Sequence, residues 1–128
     1  MRGRRPSDDR GSATIWVLAL SGVLAVLAAA VVLVGAAAVG RHRAATAADL
    51  AALAAAGRAV LGQPGGCELA AEVARANAAR LVSCSIDGSA VAEIRVAVPV
   101  QLGKLGVHTA SARARAGPVS VDASRRAD

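Results

Sequence analysis

The two cysteines, Cys67 and Cys84, are the residues of this 128-residue chain best suited to covalent chemistry. In an oxidising compartment, a disulfide between them would stabilise the fold by about 3 kcal/mol, because it restricts the unfolded chain. Their Cα atoms would have to lie within about 7 Å of each other. A helix that begins at Cys67 would then have to end near Asn77, so that the chain can turn back. The alternative is two unrelated buried thiols.

Catalytic or cofactor chemistry has little support in the sequence. The histidines, His42 and His108, lie far apart, and neither shares metal-site spacing with the cysteines. The motifs GxxxxGK[ST], GxSxG, HExxH and CxxC do not occur. Trp16 is the only aromatic residue, so nucleic-acid bases would lack stacking partners. We predict a protein that is not an enzyme, with no catalytic residue, cofactor, metal ion or nucleic-acid partner.

A long apolar segment near the N-terminus determines where the rest of the chain lies. Residues 11–40 contain no charged side chain, and as a helix they exceed the roughly 30 Å of a hydrocarbon core. We therefore predict a basic leader at 1–11 and a transmembrane helix at 12–40. The leader carries Arg2, Arg4, Arg5 and Arg10, slightly more positive charge than the segment after the helix. This difference, with the extracytoplasmic side that a disulfide requires, predicts a single-pass protein of the cell membrane with a cytoplasmic N-terminus.

The helical pattern continues beyond the apolar segment. Strong helix formers fill residues 41–61, and Leu50 and Leu53 lie on one stripe of that predicted helix. The glycines and proline of residues 62–66 indicate a turn.

A small α+β region is predicted for residues 67–117. A short second helix begins near Cys67, Asp87-Gly88 indicates a hairpin turn, and apolar residues alternate with polar ones over 92–100 and 107–116. The fold class is thus α+β: a long N-terminal transmembrane, pilin-like helix, a short second helix and a small antiparallel β-sheet. Because alanine and valine supply most of the apolar content, we expect a weak core. Residues 118–128 are predicted to be a disordered tail.

Asp49 is the acidic residue that the helix pattern leaves without a partner. No Arg or Lys lies three or four positions away, so an ion pair within the helix is not expected. One interpretation is a solvated surface carboxylate. The other is a salt bridge to a partner subunit, with Arg41 or Arg58 of another copy as candidate cations.

Two stretches in order carry a family resemblance: RGSATIWVLALSGVL at residues 10–24 and RHRAATAADLAALAAAGRA at residues 41–59. The first resembles the start of TadE/TadG-like prepilins, the minor pilins of the Flp (Tad) branch of type IV pili. This resemblance implies that a prepilin peptidase cuts between Gly11 and Ser12. The second is similar to the TadG-type segment, and the matching positions are Arg41, Asp49, Leu50 and Leu53. The remainder resembles, more loosely, short actinobacterial TadE-like proteins encoded beside secretion and helicase genes.

Trp16 is a departure from the family pattern. Many such prepilins have Glu at this fifth position after the cut, where it is thought to pair with a neighbouring subunit. A minor, capping or initiating subunit and an uncleaved anchor therefore both stay open. Trp16 is itself an assembly candidate, since Trp favours the membrane interface.

The resemblance implies a non-enzymatic minor pilin or pseudopilin of a Flp/Tad-type pilus or secretion system. Its expected partners are the membrane, other pilin or pseudopilin subunits and a prepilin peptidase. One alternative is a small secreted binding module, released by signal peptidase after Ala38. Another is an uncleaved single-pass accessory factor of a secretion complex.

Overall fold

The computed structural model describes residues 11–119, so most of the predicted leader and of the predicted tail lies outside the described residues. Its fold is α+β, which confirms the predicted class. The elements in chain order are helix α1 (Ser12–Val60), helix α2 (Gly66–Ala76), strand β1 (Arg80–Ile86), strand β2 (Ala92–Gln101), a 3-10 turn (Gly103–Leu105) and strand β3 (Val107–Ala116). The chain divides into two compact units, the first ending at Gly35 and the second beginning at Ala36.

The first unit contains the early turns of α1. The side chains of residues 11–35 are exposed or half-buried, including large apolar ones such as Leu20, Val26 and Val31. The most apolar window of α1 has a mean hydropathy of 2.9 and contains no buried residue. Helix α1 is therefore a candidate membrane span by its length and composition.

The second unit packs the later part of α1 against α2 and a three-stranded sheet. The α1 residues buried there are all glycine or alanine: Gly40, Ala44, Ala47, Ala48, Ala51, Ala52, Ala55 and Ala56. Such small side chains allow the neighbouring elements to approach closely. A Cβ on Gly40 would overlap one methyl group of Val100, and one on Gly66 would lie 2.7 Å from Ile86 Cδ1.

The sheet is antiparallel, with strand order β1-β2-β3, so β2 is central. Its inner face carries Ile94 and Val96, the two largest side chains that are fully buried. This agrees with the alternation predicted for residues 92–100. Pro99, which has no N–H to donate, pairs in register with Thr109 of β3 and lies beyond the stretch of β2 that pairs with β1.

Local turn chemistry ends the helices and joins the strands. Asn77 caps α2, and its side-chain amide donates to the Val73 carbonyl oxygen at 2.9 Å. In the β1–β2 turn, the Asp87 carboxylate accepts hydrogen bonds from the backbone N–H groups of Ser89 and Val91. This carboxylate anchors the hairpin at the predicted position.

Candidate functional site

The cysteines are joined. Cys67 in the first turn of α2 and Cys84 in β1 form a disulfide with a Cα–Cα distance of 5.8 Å. Helix α2 ends at Ala76, which lets β1 return alongside it, as the geometric condition for this bond requires. The bond links α2 to the sheet in a core composed largely of alanine.

The predicted processing position lies at the start of α1. Gly11 is in a turn, Ser12 is the first helical residue, and both are exposed. The Gly11–Ser12 bond therefore lies at the boundary between the predicted leader and the helix, where the Gly11 carbonyl oxygen accepts a hydrogen bond from the Ile15 N–H at 3.4 Å. Trp16 lies one turn further along, and 74% of its surface is exposed.

Three of the other candidate assembly residues lie on the later part of α1, outside the stripe of buried alanines. Asp49, Leu50 and Leu53 are exposed, with 43% of Leu50 and 63% of Leu53 accessible. Within residues 11–119 no cation lies within ion-pair distance of the Asp49 carboxylate. Arg41 is also exposed, but it precedes Asp49 by eight residues, roughly 12 Å along the helix. The structure thus groups Asp49 with the two leucines and places Arg41 apart from them.

Three features of the second unit were not found by inspection of the sequence. The first is the alanine face of α1, which alanine-rich composition alone does not distinguish. The second is a shallow cleft lined by Val39, His42, Arg43, Thr46 and Asn77. The third is the exposure of two apolar side chains at the connection between β2 and β3, where Leu105 and Val107 are each 62% exposed. The strand patterns end at residue 100 and resume at residue 107, which leaves a connection between them, but they do not show which part of the fold it lies beside.

The outer face of the sheet is cationic. Arg95 of β2 lies directly opposite Arg113 of β3, and Glu93 lies opposite Arg115. The one ion pair formed within residues 11–119 joins Arg113 Nε to Glu93 Oε1 at 3.8 Å, between exposed side chains. Exposed pairs of this kind contribute little to stability. In the same part of the chain, no group of His, Cys, Asp or Glu residues is arranged to hold a metal ion.

The comparison with protein families identifies the helical segment. Residues 11–59 match the family described as putative Flp pilus-assembly TadE/G-like, which confirms the predicted resemblance over this segment. The match begins at Gly11 and ends one residue before α1 does. No curated protein and no solved structure shows a significant match to the chain. The family match supports a role related to pilus assembly.

Proposed function

We propose that this protein is a non-enzymatic minor pilin or pseudopilin of a Flp-type pilus or a related secretion system. The observation that carries the proposal is that the family match, residues 11–59, coincides with helix α1, Ser12–Val60. The matched segment is therefore a single structural element. In this proposal the helix anchors the protein in the membrane and provides the surface through which subunits assemble.

Processing by a prepilin peptidase is part of the proposal. Exposure of Gly11 and Ser12 supports it, since a protease needs access to the bond that it cuts. The start of the helix at Ser12 also supports it, because cleavage there would keep every residue of α1 in the mature protein and remove, with the leader, Gly11, the acceptor of the Ile15 N–H hydrogen bond. The mature protein would begin with the apolar helix and keep the entire second unit.

The proposed orientation places the N-terminus in the cytoplasm and the second unit outside it. The Cys67–Cys84 disulfide supports this orientation, because such bonds persist in oxidising, extracytoplasmic compartments. The arginines of the leader support it as well, since positive charge is retained on the cytoplasmic side.

The proposed subunit contacts use the exposed side of α1. Leu50 and Leu53 offer apolar area that the chain itself does not cover, and Asp49 offers a charge for a cation of another subunit. A carboxylate beside two leucines would favour a partner helix with an arginine at the matching level. Such a contact would provide register as well as affinity.

The mature N-terminus tests this proposal most directly. We would determine the intact mass and the N-terminal peptide of the protein from membranes of its native host, without reducing agent. We expect a chain that begins at Ser12 and weighs two hydrogens less than its reduced form.

Matched glycine variants provide the control. Gly11→Leu should abolish processing, whereas Gly35→Leu should leave it intact. The two variants are matched because neither glycine has an atom close enough to obstruct an added Cβ. A wild-type start at Met1 or Arg2 would rule out processing and favour the uncleaved accessory factor. A start at Val39 would exclude the pilin hypothesis and favour a secreted binding module.

A further inference from the structure

The direction of β2 determines what lies near the end of the uncharged segment. A Cβ added to Gly66 would lie 3.1 Å from the Ala55 carbonyl oxygen, and it would also meet the side chain of Ile86. Ile86 pairs with Ala92, the first residue of β2. At the other end of the strand, Val100 contacts Gly40. Strand β2 therefore runs alongside the later part of α1 in the opposite direction.

The lengths of the two elements agree with this arrangement. From Ala55 back to Gly40, α1 spans roughly 22 Å at 1.5 Å per residue. From Ala92 to Val100, β2 spans roughly 26 Å at 3.3 Å per residue. The β2–β3 loop follows Val100 directly, so it extends past the level of Gly40. That level is the last position of the uncharged segment, residues 11–40.

The loop presents an exposed tip with apolar and cationic side chains. Leu105 and Val107 are each 62% exposed, and Lys104, the only lysine of the chain, is exposed between Gly103 and Leu105. The tip has a defined conformation: Gly103 and Gly106 have positive φ angles, and the Leu102 N–H donates to the Gly106 carbonyl oxygen at 2.9 Å. We define residues 102–107 as the β2–β3 foot.

Charge is distributed unevenly along the second unit. Around the foot, residues 36–46 and 97–110 contain Arg41, Arg43 and Lys104 and no acidic residue. The acids of the described second unit lie further from Gly40: Asp49, Glu68, Glu72, Asp87 and Glu93. At the end of the second unit beside Gly40, the charged side chains are thus all cationic.

We propose that the β2–β3 foot rests on the bilayer that α1 enters, with anionic lipid headgroups as its partner. Leu105 and Val107 would reach the boundary between headgroups and acyl chains, and Lys104, with Arg41 and Arg43, would face lipid phosphates. Side chains that combine apolar and cationic character bind interfaces in this way. This inference rests on the proposed function, in that it requires α1 to be a membrane anchor. It assigns to the foot a role in holding the second unit against the membrane.

The experiment uses the full chain in vesicles with anionic lipids, and tryptophan fluorescence quenched by brominated lipids. The wild-type protein contains one tryptophan, Trp16, and its quenching reports whether α1 is inserted in the bilayer. In a Trp16→Phe background, Leu105→Trp reports on the foot. Ser89→Trp is the matched control, because Ser89 is an exposed loop residue at the opposite end of β2.

We expect bromine high on the acyl chain to quench Trp at position 105, with a blue-shifted emission, and to leave Trp at position 89 unquenched. Adding Lys104→Glu, or replacing the anionic lipid with a zwitterionic one, should weaken the quenching at position 105.

Quenching of Trp16 without quenching at position 105 would overturn the foot while leaving the membrane anchor intact. Protection of position 105 from both brominated lipid and aqueous acrylamide would also overturn it, since a protein partner would then cover the loop. Absence of Trp16 quenching would instead contradict the anchor, and with it the proposed function.

Discussion

Helix α1 uses apolar residues differently in its two halves. Between residues 11 and 35 the leucine and valine side chains are exposed, except for the half-buried Leu33, and none of the most apolar window is buried. From Gly40 to Ala56 one face is fully or almost fully buried, and it consists only of glycine and alanine. The larger Leu50 and Leu53 of that half stay outside.

The difference shows that hydrophobicity and burial are separate properties of a helix face. Large side chains suit a lipid environment, which accommodates any shape. A close contact with a sheet and a second helix instead favours small side chains, because they let the backbones approach and the core stay densely packed. In the second half of α1 the more hydrophobic Leu50 and Leu53 are left exposed, on the surface that we propose for subunit contact.

Replacing Ile94 should destabilise the second unit more than any other variant proposed here, while leaving the first half of α1 unaffected. Ile94 is fully buried between Cys84 and Ala114 in the sheet. Ile94→Ala should lower the free energy of opening of β2 by about 2–5 kcal/mol, through lost burial and the cavity it leaves. Hydrogen exchange of residues 92–101, followed by mass spectrometry, measures this change. Ile15→Ala in the exposed first half should leave that exchange unchanged, and an equal effect there would contradict the division into two differently packed halves.

Loss of the disulfide should have the next largest effect. The bond joins cysteines 17 residues apart, and its removal should destabilise the second unit by about 3 kcal/mol. Hydrogen exchange should increase in α2 and β1 and stay the same in the first half of α1.

Single and double variants give an internal control for the disulfide. Cys67→Ala, Cys84→Ala and the double variant should have similar effects, since each removes the same bond. A double variant much less stable than either single one would show that the bond does not account for the loss.

Enlarging the alanine face should have the smallest effect of the three. Ala48→Leu adds volume where α1 is fully buried, so it should destabilise the second unit by about 1–3 kcal/mol. Ala28→Leu, an exposed position of the first half, should have no such effect. The stability of the second unit can be measured by urea unfolding of the full chain with the disulfide intact.

The opposite face provides the complementary control. Leu53→Ala should leave the unfolding free energy nearly unchanged but reduce co-isolation of two differently tagged copies, because Leu53 is exposed and belongs to the proposed assembly surface. If Leu53→Ala destabilised the second unit as much as Ala48→Leu, the two faces of α1 would not differ as described.

Much of the fold could be predicted from the sequence because its signals are local, whereas the roles of the candidate site residues stay predictions. The turn at Asp87 and the alternation in β2 depend on residues within a few positions of one another, and the apolar part of α1 is a continuous stretch. The family match at residues 11–59 also follows from a continuous stretch of sequence. The disulfide was predicted only as one of two alternatives, since pairing depends on how the chain turns back between the cysteines.

The sequence by itself determined where the apolar segment lies, which segments have helical or strand periodicity, and where the turns lie. These features follow from residues close to one another in the chain. Only the tertiary structure decided that alanines rather than leucines of α1 are buried, that Val100 meets Gly40, and that the β2–β3 foot lies at the end of the uncharged segment. The physical reason is that close packing and strand register depend on the shapes of segments far apart in the chain, which local patterns do not specify.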